Sequence, residues 1–161
     1  MLRKFESQDM PSFLAAIHDE KMLMQFAGPA YVFPLSAEQV TVDLQADDVR
    51  VFSMVTAEGK AVGHAQMQIF SDSVLLRRIL IWDGAWRGQG WGRKMVQQLL
   101  DVAFAMPKVQ QVRLNVFDWN TSAIRCYQSL GFVLSAGPAK PVQVAGETWQ
   151  SVGMTCVKPV H

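Results

Sequence analysis

The sequence predicts a mixed α/β fold: one mixed sheet with helices on both faces. Three observations predict it. Val112, Leu114 and Val116 alternate at the strand period of two. Trp91, Met95, Leu99 and Val102 recur at helical spacing, as do Ala123, Ile124, Tyr127 and Leu130. The two kinds of segment interleave in the order β-α-α-β-β-β-α-β-α-β-β, about seven strands and about four helices, which suits a sheet covered on both sides. The whole chain, 1–161, reads as a single domain, since no composition shift divides it.

Each element has its own signal. Leu2–Phe5 is a short first strand. "SQDMPSFLAAIHDEKMLMQF" reads as one helix, with Phe13, Leu14, Ile17 and Leu23 near one face and Pro11 at its entrance. "AGPAYVFPLS" holds two prolines and a glycine and is a loop. Ser36 followed by Gln39 is a capping-box pattern that opens a helix over Ala37–Ala46. Val49–Thr56 and Val62–Phe70 flank a turn at Glu58-Gly59-Lys60 and form a hairpin. "SVLLRRILIW" is a third strand-like run. A helix begins after Gly88, followed by the strand "VQQVRLNVF". The central β-α-β unit, 74–117, is then a right-handed parallel crossover. Asn120 stands at the N-cap of the next helix and Gly131 at its stop. "FVLSA" and "TWQSVGMTCV" are the last two strands.

Composition excludes several function classes. The net charge is +1, from 15 basic and 14 acidic residues, without the basic excess of a nucleic-acid binder. Cys126 and Cys156 form no CxxC, which argues against zinc and fits a reduced, cytoplasmic protein. "MLRKFESQDM" is followed by no apolar segment, so no secretory signal is expected. No run approaches a membrane helix in length.

The candidate site begins at "RGQGWGR", residues 87–93. Glycines between a strand and a helix expose backbone N–H groups where the helix dipole adds positive charge, a natural anion site. A Walker A loop fails here because Gly92 is followed by Arg-Lys-Met. The dinucleotide fingerprint fails because its third glycine position is Arg93. Arg87, Gly90 and Gly92 remain as R-x-x-G-x-G. A tight turn with nothing bound competes with the anion site. Arg87 and Arg93 weigh against that alternative, because cations oppose the dipole at a helix start unless an anion sits there too.

"RGQGWGRKMVQQLL" resembles the acetyl-CoA-binding loop and helix of the GNAT superfamily of N-acetyltransferases. "NTSAIRCYQSLGF" is similar to a second family signature, with Asn120, Ala123, Tyr127, Gly131 and Phe132 in place. The likeness is good over 61–135 and looser elsewhere. It implies a GNAT-type sheet whose fourth and fifth strands splay near Trp82 and Phe117. It implies that Arg87, Gly88, Gln89, Gly90, Trp91, Gly92 and Arg93 hold the CoA pyrophosphate, although the spacing of Trp91 to Met95 also gives Trp91 to packing. It implies that Leu80, Ile81 and Trp82 offer backbone to the pantetheine arm, with Asn120 close by, and that Tyr127 gives a proton to the CoA sulfur.

The chemistry is consistent with this: a phenol of pKa about 10 is protonated at neutral pH, and a thiolate of pKa about 8.5 accepts a proton. Each residue has a plainer reading beside the implied one. Asn120 caps a helix, Tyr127 packs in the core, and Cys126 packs without a partner histidine.

The reaction implied is direct attack of an amine on the thioester, with an oxyanion held by a backbone N–H near Ile81 or Trp82. No general base is evident. Leu75, Leu76, Arg77 and Arg78 stand where many relatives carry a glutamate, and Asn115 stands where ribosomal-protein alanine acetyltransferases have one. Asp83, Asp118, His64 and a water relay remain as candidates. The acceptor, a primary amine of a small molecule or peptide, is expected against Phe26, Tyr31 and Phe33. No metal, nucleic acid or membrane is expected, and a homodimer is open. A non-catalytic acyl-CoA-binding module is the competing function.

Overall fold

The computed structural model describes residues 1–81 and 89–160. Trp82, Asp83, Arg87 and Gly88, named above, lie outside the described residues. Among the described residues there are eight strands: β1 (Leu2–Lys4), β2 (Val49–Val55), β3 (Ala61–Ile69), β4 (Ser73–Ile81), β5 (Gln111–Phe117), β6 (Val133–Leu134), β7 (Lys140–Val144) and β8 (Glu147–Val157). Among the described residues there are five α-helices: α1 (Met10–Ala15), α2 (Glu20–Ala27), α3 (Ala37–Gln45), α4 (Trp91–Phe104) and α5 (Thr121–Ser129). None of the described helices is long and apolar enough to cross a membrane.

The sheet runs β1-β2-β3-β4-β5-β8-β6, with β7 paired to the free half of β8. β4 and β5 are parallel and the other pairs antiparallel. Two apolar clusters fill the two faces. On one, Met95 and Leu99 of α4 and Leu114 of β5 are buried with Phe132 and Met154. On the other, Phe13, Leu23, Phe26 and Val40 pack on Val49, Val51 and Leu80. Full burial of such a side chain is worth roughly 1.5–3 kcal/mol.

Three expectations are corrected. The first helix is two, because Asp19 takes an extended conformation and caps α2, its side chain accepting from the Met22 amide at 2.7 Å. β7 was not expected: Pro141 sits in its short sequence, but β7 lies at the sheet edge, where a missing N–H is tolerated. The turn to β8 has both Ala145 and Gly146 at positive φ, the hairpin-turn geometry. The capping box at Ser36 does not form. Gln39 instead reaches back to the loop, accepting from the Val32 amide at 2.7 Å and donating to its carbonyl at 3.0 Å.

Two features of β4 position the site. Its ladder with β5 covers Ser73–Leu75 against Gln111–Arg113 and goes no further, so the two strands part beyond that point. Against β3, His64 faces Leu80 while Gln66 faces Arg77, so Arg78 and Ile79 together oppose Ala65. This is a β-bulge, and Arg78 within it has φ +51°.

Candidate active site

The parting of β4 and β5 opens a cleft of about 870 Å³. Its walls are Leu76–Ile81 of β4, Asn115–Phe117 of β5, the start of α4, the inner face of α5, and the segment 24–30 at the end of α2.

One half lies against α4 and α5. Gly90, the N-cap of α4, has φ +81°. Among the described residues, a Cβ at Gly90 or Gly92 would meet no heavy atom within 4 Å. Both glycines and Arg93 line the cleft, and Arg93 Nε donates to Ser129 Oγ at 3.3 Å. Asn120 lines it too while capping α5, its Oδ1 accepting from the Ala123 amide at 3.4 Å. Tyr127 and Cys126 follow on α5. The Tyr127 ring packs edge-on to Phe132 with centroids 5.8 Å apart. Burial pushes its phenol well above the ordinary value, and it pushes the Cys126 thiol up as well. Leu80 and Ile81 line the cleft from β4. Gln89 and Trp91 are not among the lining residues. Trp91 packs on the α4-side core, with Lys94 Nζ 5.2 Å from its ring centroid.

The other half lies under α2 and α3 and is built from side chains. Asp43 of α3 is buried and holds three groups. Its Oδ1 takes Arg77 Nη2 at 2.9 Å, while its Oδ2 lies 3.6 Å from Arg78 Nε and accepts from the Tyr31 hydroxyl. Gln66 Oε1 accepts from Arg77 Nε at 3.3 Å and Arg78 Nη1 at 3.2 Å. The Arg78 guanidinium stacks 4.5 Å over the Tyr31 ring. Burial, together with the bond to Asp43, holds the Tyr31 phenol protonated far above its usual range.

His64 lies below this network, stacked on Phe13 with centroids 3.9 Å apart and edge-on to Phe5 and Phe26. Burial, with Arg78 nearby, pulls its pKa down to about 3, so it is neutral and a poor base.

The acceptor-side expectations divide accordingly. Phe26 lines the cleft; Tyr31 is buried with its hydroxyl engaged beneath it; Phe33 is 40% exposed and is not among the lining residues. Asp118 is not among the lining residues either. The residue pattern assigns no role to Arg77, Arg78, Gln66 or Arg125. The signal was present in "SVLLRRILIW", where two adjacent charges interrupt an otherwise apolar strand.

A mixed sheet split between two parallel strands, with a glycine-opened helix start at the split, is the architecture of an N-acetyltransferase. The chain belongs to the GNAT acetyltransferase family, whose model matches residues 20–132. A spermine/spermidine N(1)-acetyltransferase of Bacillus subtilis is 34% identical over 83 residues, 47% of this chain and 54% of that protein. The match thus spans about half the length of that relative. The spermidine N-acetyltransferase of Vibrio cholerae, solved with CoA and spermine, superposes with a TM-score of 0.82 at 19% identity, covering 98% of this chain and 95% of that one. A chimera of that enzyme gives 0.80 at the same 19% identity.

Proposed function

We propose that the protein transfers an acetyl group from acetyl-CoA to a primary amine of a small molecule or peptide. The observation that carries the reading is the split-sheet cleft with open glycines at one end and Tyr127 on its wall. Its residues fit the co-substrate. Gly90 and Gly92 leave the N-terminus of α4 bare for a pyrophosphate, with Arg93 and Arg125 as counter-charges. Beyond Leu75, β4 offers a strand edge without a ladder to β5, suited to the amides of a pantetheine arm. The relatives named for spermidine and spermine support a small-molecule amine as acceptor.

Acetyl-CoA supplies an activated acyl group as a thioester, and transfer leaves an amide and a free thiol. The amine must reach the cleft neutral. Tyr127 keeps its proton across the physiological range and holds it for the departing sulfur, so the proton that the amine loses is balanced by the one that the thiol gains. Asn120 orients the start of α5, and with it Tyr127, about two turns on.

A second reading, a non-catalytic acyl-CoA-binding module, is favoured by one observation: among the described residues no Asp, Glu or His lines the cleft. Thiol release from acetyl-CoA across a panel of amines separates the two. Release with any amine supports transfer. Calorimetric acetyl-CoA binding with no release on any amine supports the module.

A further inference from the structure

The acceptor end of the cleft carries more positive than negative charge. A regular strand would send Arg77 and Arg78 to opposite faces; the bulge puts both on the Asp43 side. Two guanidiniums therefore share one carboxylate. Arg77 is well served: Nη2 binds Asp43 at 2.9 Å, Nε binds Gln66 at 3.3 Å, and Nη1 binds Gln68 at 3.3 Å. Arg78 is not. It is 8% exposed, its Nη1 has the same Gln66 oxygen at 3.2 Å, and its Nε is buried without a hydrogen-bond partner. Asp43 lies 3.6 Å from that nitrogen and already accepts from Arg77 and Tyr31. Arg78 lines the cleft with one hydrogen-bonded oxygen and a shared carboxylate for its charge, so its guanidinium is under-matched and suited to an added anion.

The charged residues lining the described cleft are Arg77, Arg78, Arg93 and Arg125, all positive. Arg93 and Arg125 stand on α4 and α5, at the end suited to a phosphorylated co-substrate. Arg77 and Arg78 are left for the acceptor.

We propose that the acceptor is an amine that also carries an anion, a carboxylate or phosphate, received by Arg78 with Arg77 behind it. The inference rests on the transferase reading and names its substrate class. A guanidinium binds such oxygens through paired N–H groups, which fixes orientation as well as charge. A polyamine would bring further ammonium groups to a wall that already carries surplus positive charge. The same surplus favours the neutral form of the attacking amine, which matters where no carboxylate lines the described cleft. An α-amine with a pKa of about 7.7–8.0 needs less of this help than an alkyl amine.

The test is thiol release from acetyl-CoA with two matched pairs and a polycation: L-phenylalanine against 2-phenylethylamine, O-phosphoethanolamine against ethanolamine, and spermidine. The expected result is a kcat/KM at least about tenfold higher for the anion-bearing member of one pair, with spermidine below it. The pair that responds tells carboxylate from phosphate. Arg78→Gln leaves the Arg77–Asp43 pair balanced one to one and should shrink that ratio to near one; a ratio within one preparation is insensitive to partial misfolding. Equal kcat/KM within both pairs, a ratio unmoved by Arg78→Gln, or spermidine as the best acceptor overturns the inference and leaves the transferase reading standing. Calorimetric acetyl-CoA binding with no release on any of the five amines overturns both.

Discussion

The two halves of the cleft are made in opposite ways. The α4–α5 half is made by leaving side chains out: among the described residues no atom lies within 4 Å of a Cβ placed at Gly90 or Gly92, and beyond Leu75 β4 has no ladder to β5. The half under α2 and α3 is made by packing side chains in. Arg77, Arg78, Asp43, Gln66 and Tyr31 form one hydrogen-bonded block above His64. A site made of bare backbone tolerates changes around it and fails when filled. A site made of a buried charged block fails when its shared member, here Asp43, is removed. The first design suits a ligand common to a whole family, the second a ligand that differs among its members.

Substitutions can break this contrast. The largest effect is expected from Asp43→Asn, which leaves the buried Arg78 and the half-buried Arg77 without a counter-charge; a loss of about 3–5 kcal/mol should appear as a lower urea midpoint. Tyr127→Phe should lower kcat about 100-fold and leave acetyl-CoA affinity by calorimetry unchanged. If affinity falls instead, the tyrosine belongs to the fold.

Acid should strike the packed half. His64 has a folded pKa of about 3, below its unfolded value of 6.5, so its contribution is present above that unfolded value and is lost as pH falls towards 3. Urea midpoints at about pH 7 and about pH 5 should differ by about 2 kcal/mol from this group, and His64→Phe should flatten the difference. Gly92→Ile should act on the open half alone. Its Cβ meets no atom of the described residues within 4 Å and isoleucine is a better helix former than glycine, so melting should not fall, while CoA binding weakens by about tenfold or more. The smallest effect is expected from Lys21→Ala, which removes a 3.3 Å pair to Glu147 between two half-exposed side chains; the change in melting should correspond to less than about 1 kcal/mol.

The open half was legible in the sequence because its chemistry is local. The loop glycines directly precede a helix start, and Asn120 is the N-cap that the pattern implies. The packed half was not legible. Asp43, Gln66 and Arg78 come from a helix and two strands far apart in the chain, and a bulge that no spacing rule announces lets them meet. The same split holds for the fold. α4 and α5 have clear period and caps, whereas β7 is short, contains Pro141 and is defined by its partner β8. The α1–α2 break has one polar residue as its signal: Asp19 caps α2 from within a run that otherwise keeps helical period.

The bulge has one more consequence. A strand keeps count in twos, and here the count changes partway. Before Arg78 the even-numbered Val74 and Leu76 join the α4-side core; after it the odd-numbered Ile79 and Ile81 do, and Leu80 goes to the other core. The α4-side core is therefore written in two reading frames along β4. Loss of Arg78 would return β4 to plain alternation with Ile79 and Ile81 still on the α4-side core. Loss of a residue elsewhere in the strand would turn the side chains beyond it to the other layer unless the bulge gave way. The strand thus carries one spare residue, and its spare is the arginine that faces the cleft.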